Sequence, residues 1–270
     1  MAPKLRTKGA EKLKEEGNIY FQKCRYAAAI HAYTEAIVLC PNVPVYWTNR
    51  ALCHRKQNDW MKVEEDCRRA IQLDHASVKG HYMLGLALLQ TQQYAEGIKK
   101  LEKALELGTG GNPTSYIVEE IRKELSKAKY LEWEHESANR LWELQTLKEC
   151  CELALKERYL REDNAFGKAE KEQLEALGKV FNGAAKVDMP TEVPDYLCCK
   201  ITLELFRDPV ISPSGVTYER DIILDHLQKV GMFDPMTREP LSEYQLVSNL
   251  AIKEAVEAFL DKHPWAYRFS

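Results

Sequence analysis

The sequence has no long apolar run. Its longest strongly apolar stretch, Met83 to Leu89, is far short of the ~20 residues that cross a bilayer as a helix, so no membrane span is expected. Met1 to Gly17 is charged and lacks an apolar centre, which argues against a secretory signal. An excess of one charge is also missing. Thirty-eight basic side chains stand against 41 acidic ones, a formal net charge of −3 over 270 residues. Nucleic-acid binding through a generally basic surface is therefore not expected, although a local basic groove fits that balance. No C-x-x-C pair occurs among the eight cysteines, at positions 24, 40, 53, 67, 150, 151, 198 and 199. Two pairs are directly adjacent, a poor geometry for shared metal ligation or a relaxed disulfide. A reducing compartment is the expectation, with most of these thiols acting as small buried hydrophobes. What is present is ordinary for a folded chain of about two domains: 45% hydrophobic and 29% charged residues.

Shifting the sequence by 34 positions superimposes it on itself. Gly17, Ala51 and Gly85 align, then Tyr26, Trp60 and Tyr94, then Ala29, Val63 and Gly97. Ala36, Ala70 and Ala104 follow, and finally Leu39, Leu73 and Leu107. The period and residue types resemble the tetratricopeptide repeat (TPR), a helix hairpin whose small residues allow close approach and whose aromatic fills the turn. These columns describe a scaffold of three repeats over residues 8–108 and identify no ligand. Glycines in Gly108 to Pro113 interrupt the pattern.

Helical periodicity resumes at Tyr116, with Ile117, Ile121, Leu125 and Ala128 on one face and then Leu144, Leu147, Cys151 and Leu155. Charges of both signs fill the other faces. Glu162 to Gly167 reads as a turn, and a second helix carries Leu174, Leu177 and Phe181. A charged helical hairpin over 113–186 is expected. Its apolar seam is buried either between its own arms or against a second copy.

After the proline-flanked linker Met189 to Pro194 the texture changes. Val210-Ile211 and Val216-Thr217-Tyr218 flank the turn Pro213-Ser214-Gly215 and read as a β-hairpin. Glu219 to Val230 reads as a helix with Ile222, Ile223 and Leu227 inward, and Leu250 to Leu260 as another with Ile252, Val256 and Phe259 inward. This module, over 190–265, resembles the U-box family. The match is carried by Pro194-Asp195-Tyr196-Leu197-Cys198, Asp208-Pro209-Val210, Pro213 to Tyr218 and Phe233-Asp234-Pro235-Met236-Thr237-Arg238. The whole order resembles the family of co-chaperone ubiquitin ligases that join tetratricopeptide repeats, a charged hairpin and a U-box. The fold class expected is mostly α, with a small C-terminal α/β module that is RING-like but without zinc.

From position 190 onward only Cys198, Cys199, His226 and His263 could ligate zinc. Four groups, two adjacent, cannot make two tetrahedral sites. No cofactor is expected, and hydrogen bonds must brace the loops, with Ser214, Thr217, Asp234, Thr237, Glu239 and Asn249 as candidate members. Cys198 and Cys199 have no sequence-evident activating base, so a covalent ubiquitin carrier is disfavoured.

The resemblance implies the other mechanism, in which a ubiquitin-conjugating enzyme keeps the thioester and docks on two loops bearing Ile201, Leu203, Phe233 and Pro235. Core packing is the alternative for these apolar side chains. Arg238 matches the family arginine that promotes transfer, with an ion pair to Asp234 or Glu239 as its alternative. His226 is expected to be structural. In the repeats, Lys14, Asn18, Asn49 and Lys79 match positions that hold the carboxylates of an acidic C-terminal tail. Tyr82 and Met83 are expected to form an apolar pocket for an upstream ligand residue. The implied partners are heat-shock chaperones of the 70 and 90 kDa classes, conjugating enzymes, misfolded clients and a second copy of the chain, in the cytoplasm with the nucleus left open. A non-enzymatic scaffold with a degenerate U-box is the rival reading.

Overall fold

A computed structural model describes residues 3–110, 116–161 and 167–269. Its contacts divide into two compact units, Met1–Lys129 and Tyr130–Ser270, with the division inside one helix.

The first unit holds three helix hairpins: α1 (Pro3–Gln22) with α2 (Tyr26–Leu39), α3 (Pro44–Lys56) with α4 (Trp60–Leu73), and α5 (Val78–Gln90) with α6 (Tyr94–Thr109). Each hairpin also packs on the next through α2 with α3 and α4 with α5. The small-residue column has a steric cause. A Cβ on Gly17 would lie 2.6 Å from the Tyr33 ring, and one on Gly85 would lie 2.7 Å from Leu101. Each turn is made the same way. Cys24, Asn58 and Gln92 adopt φ of 55°, 59° and 60°, and the next residue's N–H bonds back five residues, to Tyr20, His54 and Leu88. This is a Schellman-type helix end built without glycine, at about 1 kcal/mol of left-handed strain each. These three positions are themselves 34 apart. The aromatic column opens the second helix of each hairpin; Tyr26, for example, packs its ring 5.6 Å from that of Phe21.

The long helix α7 (Tyr116–Arg161) begins in this unit. Val118, Ile121 and Ala128 are fully buried, and Ile117, Ile121, Leu125 and Ala128 join the core made by α5 and α6. The seam has a third solution here. Its first stretch is buried against the repeats, neither against the second arm nor against another copy. The charged face stays outward, with Lys129 paired to Glu102 at 3.2 Å.

In the second unit α7 continues and α8 (Gly167–Ala185) follows. The turn expected at Glu162 to Gly167 lies almost wholly outside the described residues. Leu144, Cys151 and Leu155 are half-buried, whereas Leu147 is 56% exposed. Arg140 on α7 makes a bidentate pair with Asp188 (2.6 and 3.0 Å) just after α8.

The C-terminal module is a small sheet with helices. Strands β1 (Pro209–Ile211), β2 (Thr217–Glu219) and β3 (Val247–Ser248) are antiparallel in the order β2-β1-β3, with Val210 opposite both Tyr218 and Ser248. The sequence reading found the hairpin and missed β3, which is too short to show alternation. Helices α9 (Arg220–Lys229) and α10 (Leu250–Lys262) stand close to the expected places. Ile223, Leu227 and Val256 are buried, Ile222, Ile252 and Phe259 half-buried. Asn249 caps α10 by accepting from Ile252 N at 3.2 Å. One apolar cluster joins Val210, Tyr218, Ile223, Leu227 and Leu241. Another joins Leu197, Cys199, Leu205, Phe206, Val256, Leu260 and Trp265, with Trp133 of α7 packed on it.

Candidate functional site

Two separate sites carry the residues singled out above. In the repeats, the first helices of successive hairpins bring three of the four clamp candidates into one chain of hydrogen bonds. Lys79 Nζ donates to Asn49 Oδ1 at 3.3 Å, Asn49 Nδ2 donates to Asn18 Oδ1 at 3.4 Å, and Tyr33 OH donates to the same oxygen at 2.7 Å. Lys14 stands one turn before Asn18 on α1 and pairs with Glu11. Burial pushes the Lys79 ammonium below its ordinary pKa. An ammonium already stripped of part of its water is a stronger partner for a carboxylate. Arg50 on α3 makes a bidentate pair with the buried Asp66 (2.9 and 2.6 Å) and donates to Thr34 at 3.0 Å, fixing α2, α3 and α4 together.

Tyr82 and Met83 do not form the open apolar pocket expected. They are 4% and 1% exposed, members of the α5–α6–α7 core. Helix α5 is apolar nearly all round because it is covered on several sides, so a methionine there fills the interior. Tyr82 keeps a polar end, donating from its hydroxyl to Glu120 on α7 at 2.9 Å. Glu120 was not among the residues singled out from the sequence. Glu120 shows in sequence only as one more charge on a charged helix.

In the C-terminal module two loops have the same backbone. In the first, Cys199 N donates to Glu204 O (2.8 Å) and Leu203 N to Cys199 O (2.8 Å). In the second, Asp234 N donates to Glu239 O (2.8 Å) and Arg238 N to Asp234 O (2.9 Å). Isolated antiparallel bridges close both, Cys198 with Leu205 and Phe233 with Pro240. Leu203 and Arg238 occupy equivalent places at φ 62° and 65°. Thr202 and Thr237 each accept the N–H two residues on, from Glu204 and Glu239, at 3.4 Å. The shared signal was present in sequence: Ile201-Thr202-Leu203-Glu204 against Met236-Thr237-Arg238-Glu239. That alignment adds Met236, 59% exposed, as the counterpart of Ile201.

The loops differ in what holds them. In the second, the Asp234 carboxylate is 2% exposed and accepts from Ser212 Oγ (3.0 Å), Ser214 Oγ (2.7 Å), Tyr218 OH (2.5 Å), Met236 N (2.9 Å) and Thr237 N (3.1 Å). Burial alone would raise its pKa; the bonds from Tyr218, Ser214 and the two N–H groups outweigh that and hold it well below the usual carboxylate range. Tyr218 is pushed up, by burial first and then by Asp234. In the first loop, the buried Cys199 sulfur takes the corresponding place and accepts from Glu219 N at 3.4 Å. Glu219 in turn accepts from Arg207 N and Asp208 N, both at 2.9 Å. Of the expected braces, Ser214, Thr217, Asp234, Thr237 and Asn249 take part through side chains, with Asn249 Nδ2 donating to Thr217 Oγ1 at 3.0 Å. Glu239 contributes its backbone carbonyl. Ser212, Tyr218 and Glu219 were not anticipated.

The docking candidates fall on the outside of these loops. Ile201 is 42% and Leu203 76% exposed, which disposes of core packing for both. Pro235 and Phe233 are half-buried. Arg238 is exposed and makes a cation–π contact over Phe233, 5.1 Å to the ring centroid, rather than an ion pair with Asp234, whose carboxylate is fully engaged. His226 also meets that ring, edge-on with centroids 5.0 Å apart, and its Nε2 lies 3.1 Å from Phe233 O. A structural role for His226 fits this geometry. Burial raises the Cys198 thiol pKa, the reverse of what an activated nucleophile needs.

Comparison with known proteins identifies two domain families in the chain. The U-box domain model matches residues 193–265, and the tetratricopeptide repeat model matches residues 10–43. The chain is 64% identical over 267 residues to the E3 ubiquitin-protein ligase CHIP of Arabidopsis thaliana, covering 96% of both chains. It is 35% identical over 123 residues to dynein axonemal assembly factor 4 of Rattus norvegicus, covering 43% of this chain and 29% of that one. Among solved structures, the complex of the TPR2B domain of yeast Sti1 with pHsp70 is 29% identical, covers 44% of this chain and 95% of that chain, and superimposes with a TM-score of 0.42.

Proposed function

The chain belongs to the family of the E3 ubiquitin-protein ligase CHIP, and from that premise we propose that it joins a tail-reading groove to a U-box that transfers ubiquitin without a cysteine of its own. The carrying observation is the pair of loops. Two rigid turns of one geometry present Ile201, Leu203, Pro235 and Arg238 outward, with every buried polar group behind the second turn satisfied. Such a surface suits docking and offers no nucleophile. A conjugating enzyme seated on it keeps the ubiquitin thioester, and the rate gain comes from holding that thioester near an acceptor lysine. Arg238, its guanidinium carbon 5.1 Å from the centroid of the Phe233 ring, supplies donors to the docked enzyme and its ubiquitin.

At the other end, Lys14 and Lys79 with the amides of Asn18 and Asn49 hold the terminal and side-chain carboxylates of an acidic C-terminal peptide. Heat-shock chaperones of the 70 and 90 kDa classes are the proposed owners of such tails. The chaperone, or the misfolded client it carries, receives ubiquitin. The protein acts as a homodimer through the helical hairpin and the U-box, in the cytoplasm with the nucleus left open. The exposed apolar side chains Leu141, Trp142, Leu147, Leu153 and Val180 on α7 and α8 support the dimer. Light scattering on the full chain checks it: a strictly monomeric chain at micromolar concentration contradicts the proposal.

The scaffold reading, with an inactive U-box, is disfavoured by the intact second loop. Reconstitution with ubiquitin, activating enzyme and a panel of conjugating enzymes decides between the two. Self-modification with at least one conjugating enzyme supports the ligase. Its absence throughout the panel, with the module folded, supports the scaffold.

A further inference from the structure

The groove carries an acid of its own. Glu11 lies on α1 one turn before Lys14, and its Oε1 pairs with the Lys14 ammonium. Its other oxygen accepts from the hydroxyl of Tyr46, a buried residue of α3, at 3.3 Å. An i,i+3 pair is by itself a contact within one helix. This one is seated across to α3, between the two helices that supply Lys14 and Asn49. Hydrogen bonding to Lys14, first, and to Tyr46 holds Glu11 below the ordinary carboxylate range, so it is ionised at neutral pH.

We propose that Glu11 is a built-in competitor for the carboxylate clamp: in the empty groove it occupies the Lys14 ammonium, and an acidic tail has to displace it. This rests on the clamp reading given above. Competition of this kind discriminates among tails. A peptide that offers Lys14 a well-placed carboxylate replaces Glu11 without leaving the ammonium bare. One that cannot must leave the Glu11–Lys14 pair in place and gains nothing there. The device sets a threshold of affinity, and Tyr46 keeps the displaced acid close enough to return.

The test is fluorescence anisotropy with a synthetic peptide that has several acidic residues and a free C-terminal carboxylate, using the full chain and its Glu11→Gln, Lys14→Ala and double variants. Glu11 is solvent-accessible, so a circular-dichroism melt is expected to show both single variants folded. Glu11→Gln should bind about two- to five-fold tighter, the range expected for loss of one exposed ion pair, and the gain should shrink in high salt. In the Lys14→Ala background the gain should vanish, because the contested ammonium is gone. Equal or weaker binding by Glu11→Gln overturns the proposal and makes Glu11 an orienting partner of Lys14. A gain that persists without Lys14 also overturns it, leaving only general repulsion of an anion. If Lys14→Ala and an amidated peptide both bind as well as their parents, the clamp reading itself fails, a separate outcome.

Discussion

Burial works against the charge of both Asp234 and Lys79, and only at Asp234 do hydrogen bonds outweigh it. Asp234 keeps its charge because five donors meet it. Its folded pKa lies below that of an unfolded aspartate, ~3.9, so the folded state binds fewer protons there. The stability it contributes is fully present above that value and is lost as pH falls through the lower folded one. The melting temperature of the C-terminal module should therefore fall steeply below about pH 4, and Asp234→Asn should lower stability at neutral pH by about 2–4 kcal/mol while flattening that acid limb. An unchanged acid limb in the variant would deny Asp234 this role. Lys79 is destabilised as a cation by burial. Binding of an acidic peptide should weaken as pH rises through its lowered pKa, earlier than for an ordinary lysine. A peptide titration at rising pH reads this directly, and Lys79→Ala should lose the early phase. The missing zinc ligands made a hydrogen-bonded brace legible, with Asp234 one of its six candidate members. Tyr82 and Met83 were misread because the sequence of α5 does not show which neighbours cover it, and burial of a whole helix is a tertiary fact.

Helix α7 shows what periodicity tells and what it withholds. The spacing of Ile117, Ile121, Leu125 and Ala128 announces an apolar seam and leaves its partner unnamed. The partner is the last repeat, where Ile121 and Ala128 are fully buried in the α5–α6 core. The repeats are thus incomplete without the first turns of the charged helix. A fragment ending near Thr109 should be clearly less stable to urea than one ending at Lys129, and Ile121→Ala in the longer fragment should cost about 2–5 kcal/mol. Equal midpoints for the two fragments would separate α7 from the repeat core. The repeats themselves were almost fully legible. Close approach at Gly17 and Gly85 forces small side chains, and steric columns survive in sequence at a fixed spacing. The left-handed turn residues Cys24, Asn58 and Gln92 escaped notice because their identities differ while their backbone does not. The loop pair of the U-box escaped in the same way, although its two Thr-x-Glu triplets were there to be aligned.

In the whole molecule the two proposed surfaces have independent chemistry, one binding anions and one docking an enzyme through apolar contacts. Lys14 and Pro235 lie in different compact units, so their effects should separate. The family and both domain types were legible from motifs. The chaperone and conjugating-enzyme partners came with the same resemblance; the clients and the dimer contacts were not legible, because a surface that meets another molecule leaves no internal pattern. The measurement that tests the account most directly is a two-by-two assay of Lys14→Ala and Pro235→Ala in a reconstituted ubiquitination reaction. Transfer to the ligase itself and transfer to a tail-bearing chaperone are read together, with melts to confirm folding. Pro235→Ala should greatly reduce transfer to both acceptors while peptide binding stays unchanged. Lys14→Ala should leave self-modification in place and lower chaperone modification. A folded Pro235→Ala protein that transfers ubiquitin at the wild-type rate would contradict the account.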